Sequence, residues 1–99
     1  DALVFGSRDY NLHKIDTQSG KKIWAFPTNG NVDSSPVIVD SKVVFGSSDG
    51  FLYMINYSSG REIWNYEIGS PITSSPAVIQ NLIVIGGEDG FIYAFGVKN

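Results

Sequence analysis

The chain has 99 residues, 42% of them hydrophobic, with ten acidic and seven basic side chains and a net charge of −3. That length holds one small domain and excludes a two-domain enzyme, and the acidic balance offers no electrostatic footprint for nucleic acid. No run of about eighteen apolar residues is present for a membrane helix, and the absence of cysteine removes disulfides, thiolate metal sites and Cys nucleophiles while leaving the compartment open. The opening Asp1-Ala2-Leu3, with no initiating Met and no charged-then-apolar leader, reads as a mature form or as a piece of something longer.

Shifted by 40 residues, Ala2 to Ser41 aligns without a gap on Lys42 to Asn81, with 14 identities that include Phe5, Gly6, Asp9, Leu12, Gly20, Trp24, Ser34, Ser35 and Pro36. A third copy starts at Leu82 and keeps Val84, Gly86, Asp89, Gly90, Phe91 and Tyr93 against Val44, Gly46, Asp49, Gly50, Phe51 and Tyr53. Within each unit the apolar runs are short, rich in Val, Ile, Phe and Tyr, and broken by Gly, Asp, Asn, Ser or Pro, which is the pattern of strands. In chain order, the first copy supplies strands two to four of a unit, and its Asp9-Tyr10 lacks the turn glycine of the later copies, so a slightly different turn is expected there. The second copy supplies all four strands, at about Ser34–Asp40, Lys42–Ser47, Phe51–Asn56 and Glu62–Glu67. They are joined at Asp40-Ser41, Ser48-Asp49-Gly50 and Tyr57-Ser58-Ser59-Gly60, and Asp49-Gly50 and Asp89-Gly90 suit tight hairpins because glycine adopts positive φ freely. The third copy supplies strands one to three, making ten in all.

No window carries helical three-and-four spacing without a Gly, a Pro or a β-branched run, so the fold class is all-β. Val43-Val44-Phe45 and Leu82-Ile83-Val84-Ile85 are apolar on successive residues, which requires sheets covered on both faces. Four-stranded antiparallel meanders repeating every 40 residues and stacked face to face are β-propeller blades, here about two and a half of them. The whole of 1–99 is one segment: a partial blade at 1–32, a full blade at 33–70 and a partial blade at 71–99.

Lys14-Ile15-Asp16-Thr17-Gln18-Ser19-Gly20-Lys21-Lys22-Ile23-Trp24 and Met54-Ile55-Asn56-Tyr57-Ser58-Ser59-Gly60-Arg61-Glu62-Ile63-Trp64 resemble the tryptophan-docking motif of quinoprotein-like (PQQ-like) β-propellers, Ala-x-Asp-x-x-Thr-Gly-Lys-x-x-Trp. Asp16, Gly20, Lys21 and Trp24 fit the first copy, with Ser19 for Thr and Lys14 for Ala. The second keeps Gly60 and Trp64, with Asn56, Ser59 and Arg61 as near substitutes. The resemblance implies that Asp16, Gly20, Trp24, Asn56, Gly60 and Trp64 are structural docking residues, the indole packing on the next blade and donating its N–H to that blade's backbone. The Asx residue and Ser-Gly turn shape the reversal into the outer strand. The family's Ala makes room for the neighbouring Trp; Lys14 and Met54 depart from it and Ala94 keeps it. On this reading Trp64→Ala is expected to cost about 3–5 kcal/mol, and a cost under about 1 kcal/mol would show that Trp64 does not dock.

A search for chemistry returns structural explanations. His13 lies near Asp9 and Asp16, but its counterparts are Tyr53 and Tyr93, so it reads as a packed strand residue with a polar tip rather than a triad base. Asp9, Asp49 and Asp89 recur in turns. With no Cys and one His, only carboxylates remain for a metal, and neither Asp9-Tyr10-Asn11 nor Glu88-Asp89-Gly90 forms a calcium loop. Asn56-Tyr57-Ser58 matches a glycosylation sequon, with the Asx turn as the simpler reading. No catalytic, cofactor-binding or metal-ligating residue is therefore assigned. The expected function is a non-catalytic protein-interaction scaffold, part of a larger ring, in contact with other blades or with copies of itself, because two and a half blades leave faces and edges uncovered. The resemblance favours the periplasm or the exterior of the cell. Its alternative is a fragment of a quinoprotein dehydrogenase holding pyrroloquinoline quinone and Ca²⁺ on the propeller axis, whose base and calcium ligands find no matching motif here.

Overall fold

The computed structural model describes residues 1–96. Ten strands occur among them, in three antiparallel sheets. The first sheet is β1 (Ala2–Gly6), β2 (Asn11–Asp16) and β3 (Lys22–Pro27); the second is β4 (Val37–Val39), β5 (Lys42–Gly46), β6 (Phe51–Asn56) and β7 (Glu62–Glu67); the third is β8 (Ala77–Ile79), β9 (Leu82–Gly86) and β10 (Ile92–Gly96). Each sheet follows chain order as a meander. These are blades 1, 2 and 3 below.

The successive apolar residues of blade 2 divide between two cores. Val43, Phe45, Tyr53 and Ile55 pack with Leu12, Trp24 and Val32 toward blade 1, while Val44, Leu52 and Met54 pack with Ile72, Ile83 and Ile85 toward blade 3. Strand alternation sends neighbouring side chains to opposite faces, so a sheet covered on both sides has no polar face to present.

The inner strand of blade 2 is shorter than the expected Ser34–Asp40, beginning only at Val37. Pro36 has no N–H to give a ladder, and the Ser34 hydroxyl instead accepts the Gly46 N–H at 3.3 Å. In blade 3 the Ser74 hydroxyl donates to Gly86 O at 2.9 Å, and the two segments meet where Ser35 N–H donates to Ser75 Oγ at 3.1 Å.

Tyr10 sits at φ 79°, beside 89° for Gly50 and 87° for Gly90. The first hairpin therefore adopts the left-handed turn residue of the others rather than a different turn. Its carbonyl is held by the Thr28 N–H and by Thr28 Oγ1, both at 2.8 Å. Because an L side chain costs about 1–2 kcal/mol in this region, Tyr10→Gly should raise stability by up to about 1 kcal/mol, net of the entropy glycine loses on folding; a lower urea midpoint would contradict this.

Blade-docking site and hairpin carboxylates

Trp24 reaches the outer end of blade 1 through a register shift. Lys14 pairs with Trp24 and Ile15 with Lys22, leaving Ile23 as the extra residue of a bulge. This sets Trp24 and Lys14 side by side on the face toward blade 2, and the same shift recurs at Met54/Ile55.

The turn that receives them is built from local hydrogen bonds. Asn56 Oδ1 accepts the N–H groups of Ser58 and Ser59, each at 2.9 Å, and the Gly60 N–H donates to Asn56 O at 2.9 Å. Gly60 closes the turn at φ 73°. A Cβ there would lie 2.7 Å from two indole carbons of Trp24, so the glycine forms the flat floor on which the ring rests. The Trp24 indole N–H donates to Tyr57 O at 2.9 Å.

Lys14 joins this contact instead of obstructing it. It is buried, its ammonium donates to the same Tyr57 carbonyl at 2.9 Å, and it stands 3.6 Å from the centre of the Tyr57 ring. The long apolar stem fills space beside the indole while the charge meets a carbonyl and a π face. The sequence signal for this partnership was the departure of position 14 from the family's Ala together with an aromatic residue at 57.

Asp16 and Gly20 make the corresponding turn in blade 1. Asp16 Oδ1 accepts the Gln18 N–H at 2.9 Å, which holds its carboxyl below the usual range, and Gly20 sits at φ 72° with nothing within 4 Å of a Cβ position. Trp64 stands edge-on to Phe95 at 5.3 Å and stacks on Tyr66 at 6.2 Å; the turn expected to receive it lies outside the described residues. Asn56, Gly60 and Trp24 are thus brought together, and Asp16, Gly20 and Trp64 are not part of that cluster.

Two further contacts between blades escaped the sequence reading. The linker residues Val32 and Ile72 are buried over Gly6 and Gly46, where a Cβ would collide with Val32 Cγ1 and Ile72 Cγ2. Val32 N–H donates to Ser7 O and Ile72 N–H to Ser47 O, both at 3.1 Å. The glycines at 6, 46 and 86 and the aliphatic pair at 32 and 72 were the available signal.

The candidate chemical groups form one repeated device. Asp9 Oδ2 lies 2.8 Å from His13 Nε2, and Asp49 and Asp89 each accept the hydroxyl of Tyr53 and Tyr93 at 2.6 Å. In each copy the other carboxylate oxygen takes a backbone N–H, from Asn11, Phe51 or Phe91. The aspartate therefore closes its own hairpin, and His13 stacks on Phe5 at 5.4 Å as Tyr53 stacks on Phe45 at 5.2 Å. Burial and then the Asp49 carboxylate push the Tyr53 phenol up.

The Asn11 backbone N–H, followed by His13, pulls the Asp9 carboxyl down to about 2 from its ordinary 3.8. A carboxyl lowered on folding stabilises the native state above its unfolded pKa and loses that contribution as pH falls through the folded one. Stability should accordingly drop between pH 3.8 and about 2, and Asp9→Asn should flatten the thermal midpoint across that window; an unchanged slope would contradict the assignment.

No three His, Asp or Glu side chains converge to hold a metal among the described residues. The three hairpin aspartates are each engaged by groups of their own hairpin, Asp49 also accepting the Asn29 N–H at 3.1 Å, and this donor set does not fit a quinone-bound calcium. No helix there is long and apolar enough to cross a membrane.

Stacked antiparallel meanders, fastened by an indole laid on the next sheet's turn, define a segment of β-propeller. The chain belongs to the PQQ-like repeat family: the family model described as outer membrane protein assembly factor BamB matches residues 1–99. The crystal structure of BamB from Moraxella catarrhalis is similar with a TM-score of 0.82 and 24% identity, over 97% of this chain and 30% of that one. Quinohemoprotein alcohol dehydrogenase from Comamonas testosteroni gives 0.85 and 24%, over 98% and 18%. The computationally designed Ika4 protein gives 0.84 and 16%, over 98% and 61%. The chain thus spans less than two thirds of each of these proteins, and at such identities the likeness concerns the fold. No curated protein matches the sequence.

Proposed function

We propose that this chain is a non-catalytic run of blades within a larger PQQ-like propeller, with blade boundaries near 32 and 70, and that it acts as a scaffold presenting faces and loops to protein partners. The observation that carries this reading is the threefold recurrence of the Asp–His/Tyr hairpin closure. A catalytic pair is set apart from its counterparts, whereas Asp9–His13 repeats what Asp49–Tyr53 and Asp89–Tyr93 do. The six motif residues Asp16, Gly20, Trp24, Asn56, Gly60 and Trp64 form the docking set, supported by the seating of Trp24 on Gly60. Kinship with an outer membrane assembly factor supports a location outside the cytoplasm.

Incubation with pyrroloquinoline quinone and Ca²⁺ followed by gel filtration tests the reading against a dehydrogenase role. We expect no retained visible absorbance and no alcohol-dependent dye reduction. Retained quinone with turnover would overturn it.

A further inference from the structure

Between the inner strands of blades 2 and 3 a cleft opens at the end where β4 turns into β5 and β8 turns into β9. Its floor is apolar, with Val44, Met54 and Ile83 buried and Val78 half-buried, and its mouth is set with Asp40, Lys42, Gln80 and Asn81. The free space, about 80 Å³, takes a few waters or one aliphatic side chain, and nothing the size of a nucleotide or a quinone cofactor. The two charges are what the repeat does not explain. Position 40 becomes Gln80 in the next copy, and position 42 is Ala2 in the first copy and Leu82 in the third, so the meander requires neither charge. Lys42 is half-buried, and among the described residues neither it nor Asp40 enters a salt bridge. Holding an ammonium over an apolar floor costs solvation, which a bound counter-charge offsets.

From this we infer that the cleft binds a free aliphatic α-amino acid of the size of leucine or methionine, as its zwitterion. The side chain enters over Val44, Met54, Val78 and Ile83, Lys42 meets the carboxylate, and Asp40 meets the ammonium. Gln80 and Asn81 supply amide donors and acceptors for the hydrogen bonds that the two charged groups leave over. Two opposite charges at one mouth select a ligand that carries both, because a singly charged one leaves a protein charge unanswered. The apolar floor rejects a polar side chain, which would lose its hydrogen bonds to water there. This site stands whether or not the larger propeller serves as a scaffold, since it is built from the inner strands and their turns alone.

Titration calorimetry on the chain tests this, with L-leucine as the probe and two analogues that each lack one charge, isoamylamine and isocaproate. Leucine is expected to bind saturably, and each analogue to bind about tenfold more weakly or worse, the loss of one charged hydrogen-bonding group. Asp40→Asn and Lys42→Gln should each weaken leucine by about tenfold as well. Both lie at the mouth, and Asn suits the φ of 55° at position 40, so circular dichroism and the buried Trp24 fluorescence should be unchanged. A chain with a buried Trp24 that takes up no leucine overturns the inference, as does an analogue that binds as tightly as leucine or a pair of variants that bind it unchanged. N-acetyl-leucine binding as tightly as leucine also overturns it, and assigns the cleft to the C-terminal residue of a peptide.

Discussion

Trp24→Ala is expected to lower stability by about 3–5 kcal/mol, the range for deleting a buried large aromatic side chain. The ring is 8% exposed, lies on Gly60, and belongs to the core that joins blades 1 and 2. Its loss would open a void between two sheets whose spacing is held by other side chains, so little collapse can refill it. The Tyr57 carbonyl would keep the Lys14 ammonium, which limits the penalty for the lost hydrogen bond. Trp24→Phe, which retains most of the apolar area and loses the N–H, should therefore recover most of the stability. Urea denaturation followed by circular dichroism measures both variants, and a cost under about 1 kcal/mol for Trp24→Ala would show that the indole does not fasten the blades. Trp64→Ala shares the sequence expectation; its ring is half-buried against the core toward blade 3, beside Tyr66 and Phe95, whereas Trp24 is buried and seated on a described turn, so Trp24 is the position at which the full cost is expected.

Gly60→Ala should cost about 2–5 kcal/mol from two separate sources. A left-handed backbone at φ 73° disfavours any Cβ by about 1–2 kcal/mol, and overpacking a filled contact adds about 1–3 kcal/mol. Gly20→Ala supplies the control. Gly20 has the same backbone conformation, at φ 72°, with open space around its Cβ position. Only the backbone part, about 1–2 kcal/mol, should appear there, and thermal unfolding of the two variants should separate the terms. Equal costs would place the Trp24 ring away from Gly60.

Much of this architecture was legible in the residues because the repeat prints each constraint more than once. The hairpin at Asp49-Gly50 and the strands Lys42–Gly46, Phe51–Asn56 and Glu62–Glu67 follow from short runs rich in Val, Ile, Phe and Tyr closed by turn residues. The inner strand was overextended, since the Ser-Ser-Pro stretch has strand-like neighbours but a proline that cannot donate. Tyr10 was expected to change its turn because propensity alone disfavours it; the Thr28 hydrogen bonds to its carbonyl hold it where glycine sits elsewhere. Lys14 illustrates what a single chain conceals. Nothing in local spacing says that a buried ammonium will find a carbonyl and a ring 43 residues away. The hairpin aspartates gave the opposite lesson: the four-residue spacing from Asp9 to His13 repeats at Asp49–Tyr53 and Asp89–Tyr93, and carried the pairing in plain view.

The central claim is that the Trp24 indole of one blade rests on Gly60 of the next, and a double-mutant cycle between these positions tests it most directly. In the Trp24→Ala background the clash term of Gly60→Ala vanishes, so its cost should fall from about 2–5 to about 1–2 kcal/mol, a coupling above the additivity error of about 0.5 kcal/mol. Strictly additive costs would contradict the contact and, with it, the fastening of blade 1 to blade 2 through this turn.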